Sequence, residues 1–131
     1  MYILIAILIF GFLIFIHELG HFLTAKALDV QVNEFSICMG PALLKKQRGE
    51  TLYSLRCIPI GGFCAMEGED GDSDNPRAFT SKSWWRRLII LAAGSFMNFL
   101  TGLLVLVIVY SCAAPSSTAR IDSFFEDCPY Q

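Results

Sequence analysis

The sequence predicts an α-helical membrane protein with a small β-sheet insertion: two transmembrane helices joined by a cytoplasmic, β-containing segment. Three observations carry this. Residues 1–16 and residues 88–114 contain no charged side chain, and such runs suit helices crossing about 30 Å of hydrocarbon. Between them, residues 30–66 are rich in β-branched and aromatic residues and are punctuated by Gly and Pro, the composition of strands and turns. Nine of the ten Lys and Arg residues lie between Lys26 and Arg87, which by the positive-inside rule puts that segment in the cytoplasm and both chain ends outside.

The first helix is expected over residues 1–28. A secretory signal peptide is the rival reading, but no basic residue precedes Lys26 and no small-residue cleavage site follows the apolar core. Instead the run passes into His17-Glu18-Leu19-Gly20-His21, which holds the only two histidines of the chain. At ~1.5 Å per residue the pentad starts about 24 Å along the helix. Residues four apart share a helix face, so His17 and His21 can offer two imidazoles to one metal ion. Zinc accepts neutral nitrogen ligands in tetrahedral geometry. Glu18, beside the first histidine, is placed to take a proton from a water polarised by the metal and to return it to a leaving amine. A chance run of structural residues is the bland alternative. It leaves two His and a Glu unpaired in an apolar segment, at a cost of several kcal/mol. A catalytic zinc needs a third protein ligand, and none stands at a diagnostic spacing from the pentad.

Residues 29–87 read as a cytoplasmic, membrane-associated β segment with an interfacial linker. Val30–Cys38 is a strand whose apolar alternation changes phase near Asn33-Glu34, the mark of a bulge. Gly40-Pro41 punctuates it, and Lys45–Gly49 reads as a polar turn or loop. Thr51–Ile60 is a second strand, ended by Pro59 and Gly61-Gly62, with Phe63, Ala65 and Met66 as an extension. An exposed edge of such a sheet can pair with an extended substrate, or the sheet can simply cover the helices. The acidic stretch 67–74 lacks a calcium-loop pattern, because counting from Asp70 the sixth and twelfth positions hold Asn75 and Ser81. It reads as a solvated loop.

Trp84, Trp85, Arg86 and Arg87 form an aromatic and basic anchor before the second transmembrane helix, residues 88–114. Gly94, Asn98 and Gly102, spaced by four, share one face of it; small residues allow close helix packing and Asn can hydrogen-bond across the contact. Asn98 therefore reads as packing glue or as a polar group near the metal or substrate. The five cysteines contain no C-x-x-C pair, so free thiols are expected rather than disulfides or a zinc ribbon. With a net charge of −2 and topology accounting for the basic residues, no nucleic-acid partner is expected. The expected partners are the lipid bilayer and a membrane-spanning protein substrate.

These residues together resemble the site-2 protease family of intramembrane zinc metalloproteases, and within it the bacterial regulator-of-sigma-E protease branch. The resemblance runs over about residues 1–114 and rests on FIHELGHFLTAK, NEFSICMGP, TLYSLRCIPIGGF, the EGED stretch, NPRAF and the AG…MNF pattern, in that order. It implies regulated proteolysis of membrane-spanning substrates such as anti-sigma factors or remnant signal peptides, in the bacterial inner membrane. By motif match His17 and His21 would bind zinc, Glu18 would activate water, and Asn98 matches a polar position of the second core helix. Two departures stand out. Ser95 replaces the family's usual Pro in AGP, and no LDG motif is present to supply the family's third ligand, an Asp. Residues 115–131 resemble the opening of the PDZ domain that follows in the family, so the sequence is expected to be an amino-terminal portion of a longer protease. Two other readings compete: a non-catalytic membrane binding module or pseudoprotease, and a metal transporter, for which the second span has few polar residues.

Overall fold

The computed structural model describes residues 1–112. The expected PDZ opening and Cys128 lie outside the described residues. Two long helices flank a two-stranded sheet: α1 is Tyr2–Ala27, β1 Val32–Arg48, β2 Thr51–Met66 and α2 Trp84–Cys112. Both helices are long and apolar, and they are not core helices. Only 6% and 11% of their most apolar windows are buried.

The end of α1 sets the direction of everything after it. Asp29 takes the left-handed φ of 58°, a conformation that Asp tolerates better than most residues. Its amide donates to the Lys26 carbonyl at 3.3 Å, and the Val30 amide donates to the Ala25 carbonyl at 2.8 Å. This is the Schellman pairing that closes a helix C-terminus. Val30 and Ala25 are both fully buried beside it. The chain reverses there, and β1 runs back along α1.

The sheet is held against α1 by aromatic rings. Phe35 lies 4.8 Å from Phe22, 6.2 Å from Phe15 and 6.4 Å from Tyr53 between ring centroids. Buried Val30, Val32, Phe35, Cys64, Met66 and Ile90 join them. At one end of the sheet, Lys26 Nζ donates to Glu50 at 2.5 Å. Toward the other, a Cβ placed on Gly11 would lie 3.1 Å from the Pro59 carbonyl. The sheet therefore accompanies α1 from Lys26 back to Gly11, about 22 Å of helix.

The expected bulge region is present and wider than anticipated. β1 and β2 pair antiparallel from Arg48↔Thr51 to Met39↔Ile58, with register shifts along β1 from Val32 to Leu44. Residues 34–37 have partners on both sides: residues 62–65 in descending register, and residues 52–55 in ascending register. The first part of β1 is thus central, while residues 42–48 and 62–66 form the outer runs.

Three local expectations give way. Pro59 and Gly61-Gly62 do not end β2, which runs through them to Met66. Gly40-Pro41 does not end β1, which continues to Arg48. Pro41 falls where the register shifts between Met39↔Ile58 and Ala42↔Arg56, a bulge position at which a missing N–H is tolerated. Lys45–Arg48 is strand rather than loop, because Gly49 (φ 62°) and Glu50 turn the chain in two residues. A two-residue hairpin turn of this kind accepts the left-handed glycine. Phe63, Ala65 and Met66 do extend β2.

The link to α2 is fastened to the same corner. Arg77 donates to Asp29 at 2.7 Å and to Glu50 at 2.5 Å, and the Gln31 amide donates to the Arg77 carbonyl at 3.0 Å. Trp84 and Trp85 stack at 3.9 Å where α2 begins.

The hydrogen bonds of Arg77, with those of Lys26, hold the Glu50 carboxyl down at about 2. A carboxylate whose folded pKa is depressed contributes stability above its unfolded value, and loses it as pH falls through the folded one. The pairs are exposed enough for solvent to screen them, so their contribution is small. In detergent, Glu50→Gln is therefore expected to unfold at a lower temperature than the parent chain at pH 7. The gap should close as pH drops from about 4.5 towards 2. A constant gap across that range would contradict the assignment.

Candidate metal centre

Helical spacing brings His17 and His21 onto one face of α1. Their rings meet edge to face, 4.8 Å between centroids at 81°, and the two Nε2 atoms are 3.1 Å apart. His21 Nδ1 is 2.8 Å from the Ile90 carbonyl oxygen on α2. A carbonyl only accepts, so Nδ1 carries the proton, and Nε2 of the neutral ring is left with a lone pair. Two nitrogens facing each other this closely need a proton or a cation between them. The ligand atoms of a tetrahedral ion bound at about 2.0–2.1 Å lie roughly 3.3 Å apart. The pair therefore fits two corners of a zinc site. Among the described residues, no cluster of three or more His, Cys, Asp or Glu side chains could hold a metal, so the third ligand is not found there.

Close approach of α2 makes this arrangement possible. The helices pass antiparallel, His21 beside Ile90 and His17 beside Gly94. A Cβ on Gly94 would stand 2.5 Å from His21 Nε2 and 2.7 Å from His17 Nε2. On the opposite helix, a Cβ on Gly20 would stand 2.6 Å from the Ala93 carbonyl oxygen and 2.8 Å from Met97 Cγ. Each glycine lets the partner's atoms occupy the space of a side chain.

Glu18 faces the sheet, not α2. Its Cγ is 3.8 Å from where a Cβ on Gly62 would be, and the backbone of Cys64 borders its carboxyl. The acid thus lies between the histidines and the outer run of β2. Cys64 is buried there; burial, with Glu18 and Glu69 nearby, pushes its thiol up to about 12.

Asn98 lies one turn beyond Gly94. Its Oδ1 is buried without a hydrogen-bond partner among the described residues, and no hydrogen bond joins it to either histidine. Gly102 has nothing within 4 Å of its Cβ position, so of the three residues on that face only Gly94 meets the histidine pair directly. Sequence reasoning missed the Ile90 carbonyl, a backbone group with no side-chain signal. It also missed the placement of Gly62 and Cys64 beside Glu18, although the Pro59–Gly62 punctuation marked the place.

Comparison with known proteins agrees with this chemistry. The model for Peptidase family M50 matches residues 5–127. A relative from Clostridium acetobutylicum, provisionally named a zinc metalloprotease, is 54% identical over 107 residues, covering 82% of this chain and 32% of its own. One from Clostridium perfringens, named likewise, is 45% identical over 107 residues with the same coverage. One from Chlamydia trachomatis, again so named, is 43% identical over 137 residues, covering 95% of this chain and 21% of its own. The chain thus spans at most about a third of the length of these relatives.

Two outcomes follow from the geometry. Gly94→Ala forces the histidine rings apart, so zinc retained by the purified chain should fall at least tenfold while its helical circular dichroism persists; undiminished zinc would show that the rings do not depend on this contact. Among single-cysteine variants in mild detergent, exposed Cys57 should react with a maleimide at pH 8. Buried Cys64 should react at least 10²-fold more slowly, since only the thiolate attacks. Equal rates would remove Cys64 from the packed strand.

Proposed function

The chain belongs to peptidase family M50, and from that premise we propose that it is part of an intramembrane zinc metalloprotease of the site-2 type. It would hydrolyse peptide bonds in membrane-spanning proteins, such as anti-sigma factors or remnant signal peptides. The observation that carries the reading is the histidine pair, with Nε2 atoms 3.1 Å apart, on a helix whose most apolar window is only 6% buried. An apolar surface so large favours lipid as its solvent. The basic residues between Lys26 and Arg87 support the cytoplasmic side for the connection between the helices, with the sheet membrane-associated because it runs back along α1, and both chain ends on the other side of the bacterial inner membrane.

Zinc, when bound, supplies a Lewis acid that polarises water and the scissile carbonyl. His17 and His21 would hold it through Nε2. The Ile90 carbonyl keeps His21 in the required tautomer, as a backbone partner does for many metal-binding histidines. Glu18 takes the proton from water and passes it to the leaving amine. The outer run of β2, residues 62–66, lies beside Glu18. It is placed to pair with a substrate segment unwound into an extended strand. Asn98, with its unpartnered carbonyl oxygen, is assigned to the same polar neighbourhood. Among the described residues no third ligand joins the pair. That gap favours one alternative: a non-catalytic membrane binding module or pseudoprotease.

Zinc content in detergent and cleavage in vesicles separate these readings. The chain and its Glu18→Gln variant are expected to bind zinc, and His17→Ala/His21→Ala to bind none. With a membrane-spanning reporter peptide, Glu18→Gln should lower the cleavage rate by at least about 10²-fold. Equal zinc in the parent and the double variant would sink the metal site. Zinc binding with cleavage indifferent to Glu18→Gln would favour the binding module.

A further inference from the structure

The outer run of β1 carries a feature that the histidine pair does not use. Residues 43–48 read Leu-Leu-Lys-Lys-Gln-Arg and pair with β2 alone. Leu43 and Leu44 are 63% and 67% exposed. Lys45, Lys46 and Arg48 are exposed, and among the described residues they form no ion pair. Beside them an apolar groove of about 500 Å³ runs between α1 and the sheet, lined by Phe15, Phe35, Ile37, Leu44, Tyr53 and Leu55, with Lys45 and Lys46 on its wall. An adjoining cleft of about 380 Å³ is lined by Lys46, Arg48 and Tyr53. Lys46 and Tyr53 belong to both.

We propose that Lys46 and Arg48, two residues apart and so on one face of the strand, bind the phosphate headgroup of an anionic phospholipid, one acyl chain of which lies along the Phe15–Phe35–Leu55 groove. The proposal rests on the membrane reading above. Position supports it: the turn after Arg48 is tied to Lys26 at the end of α1, while Phe15 is about 16 Å further up the helix. The cations thus mark one end of the groove and the rings its interior. A long apolar tail with an anionic head matches that order. An apolar helix filling the same groove would bring no countercharge to Lys46 and Arg48, whereas a phosphate satisfies them with charge-assisted hydrogen bonds. Leu44, on the same face, then meets the acyl chain while Lys46 and Arg48 reach the headgroup layer.

The test reconstitutes the chain into vesicles of equimolar phosphatidylglycerol and phosphatidylcholine, releases it into mild detergent and reads the retained lipid by native mass spectrometry. Phosphatidylglycerol should be retained in preference, and each cation near an anionic surface contributes roughly fivefold. Lys46→Gln/Arg48→Gln should lower the preference at least tenfold while the chain still inserts with unchanged circular dichroism. Arg86→Gln, removing an exposed cation at the start of α2, should leave it intact. Dihexanoyl phosphatidylglycerol should be retained less well than the long-chain lipid. Equal retention of the two headgroups, or an equal loss in Arg86→Gln, would overturn the headgroup site. Equal retention of short and long chains would overturn the groove assignment. Failure to insert into vesicles of any composition would overturn the membrane reading itself, and this site with it.

Discussion

The arrangement depends on two side chains that are absent. Gly20 and Gly94 let α1 and α2 approach until each helix fills space that a Cβ would take on the other. At Gly20 the intruding atoms belong to the Ala93 carbonyl, and at Gly94 to the two imidazoles. The same closeness brings the Ile90 carbonyl to His21 Nδ1, so one packing contact also selects the tautomer that frees Nε2. Packing and chemistry are one constraint here. A helix pair held an ångström further apart would keep both histidines and lose the group that orients one of them.

The sheet supplies the other wall by a separate route. It does not reach Glu18 from across the molecule; the reversal at Asp29 lays it along α1 from the start. Phe35, flanked by Phe15, Phe22 and Tyr53, holds it there. Within the sheet, Arg56 donates to Glu34 at 2.8 Å and to the Gly40 carbonyl at 2.8 Å, and it lies over the Phe63 ring. These bonds span the register shifts where ladder bonding is irregular. Burial opposes ionisation of Glu34, yet the bonds from Ser54 and Arg56 outweigh it and keep that carboxyl below the ordinary range.

Much of this was legible in the residues because it depends on period and composition. A four-residue spacing puts His17 and His21 on one face of any helix, and long uncharged runs read as long apolar helices. The two strands were legible as β-rich segments, as was the phase change within the first. What escaped was set by backbone geometry and tertiary contact. Lys45–Arg48 looked like a loop because polarity was read as a turn, whereas Gly49-Glu50 makes the turn alone. Pro41 looked like a terminator, yet a bulge accommodates it. The Ile90 carbonyl has no side-chain signature. Gly94, Asn98 and Gly102 were legible as one face, but the crossing point of two helices decides which of them meets the histidines.

The sheet's attachment to α1 at two points has a consequence for how this region can change length. Glu50 is tied to Lys26 at one end, and Pro59 lies against Gly11 towards the other. Between Thr51 and Cys64 the backbone is measured against a helix that does not stretch. Deleting or inserting one residue there turns the following side chains to the opposite face and moves the Cys64 backbone away from Glu18. The exposed tip at residues 69–72, between the bonds that fasten Glu67 and Arg77, carries no such gauge. Variation in length among proteins built this way is therefore admissible at that tip and costly before Met66, and the strand that borders Glu18 behaves as a ruler.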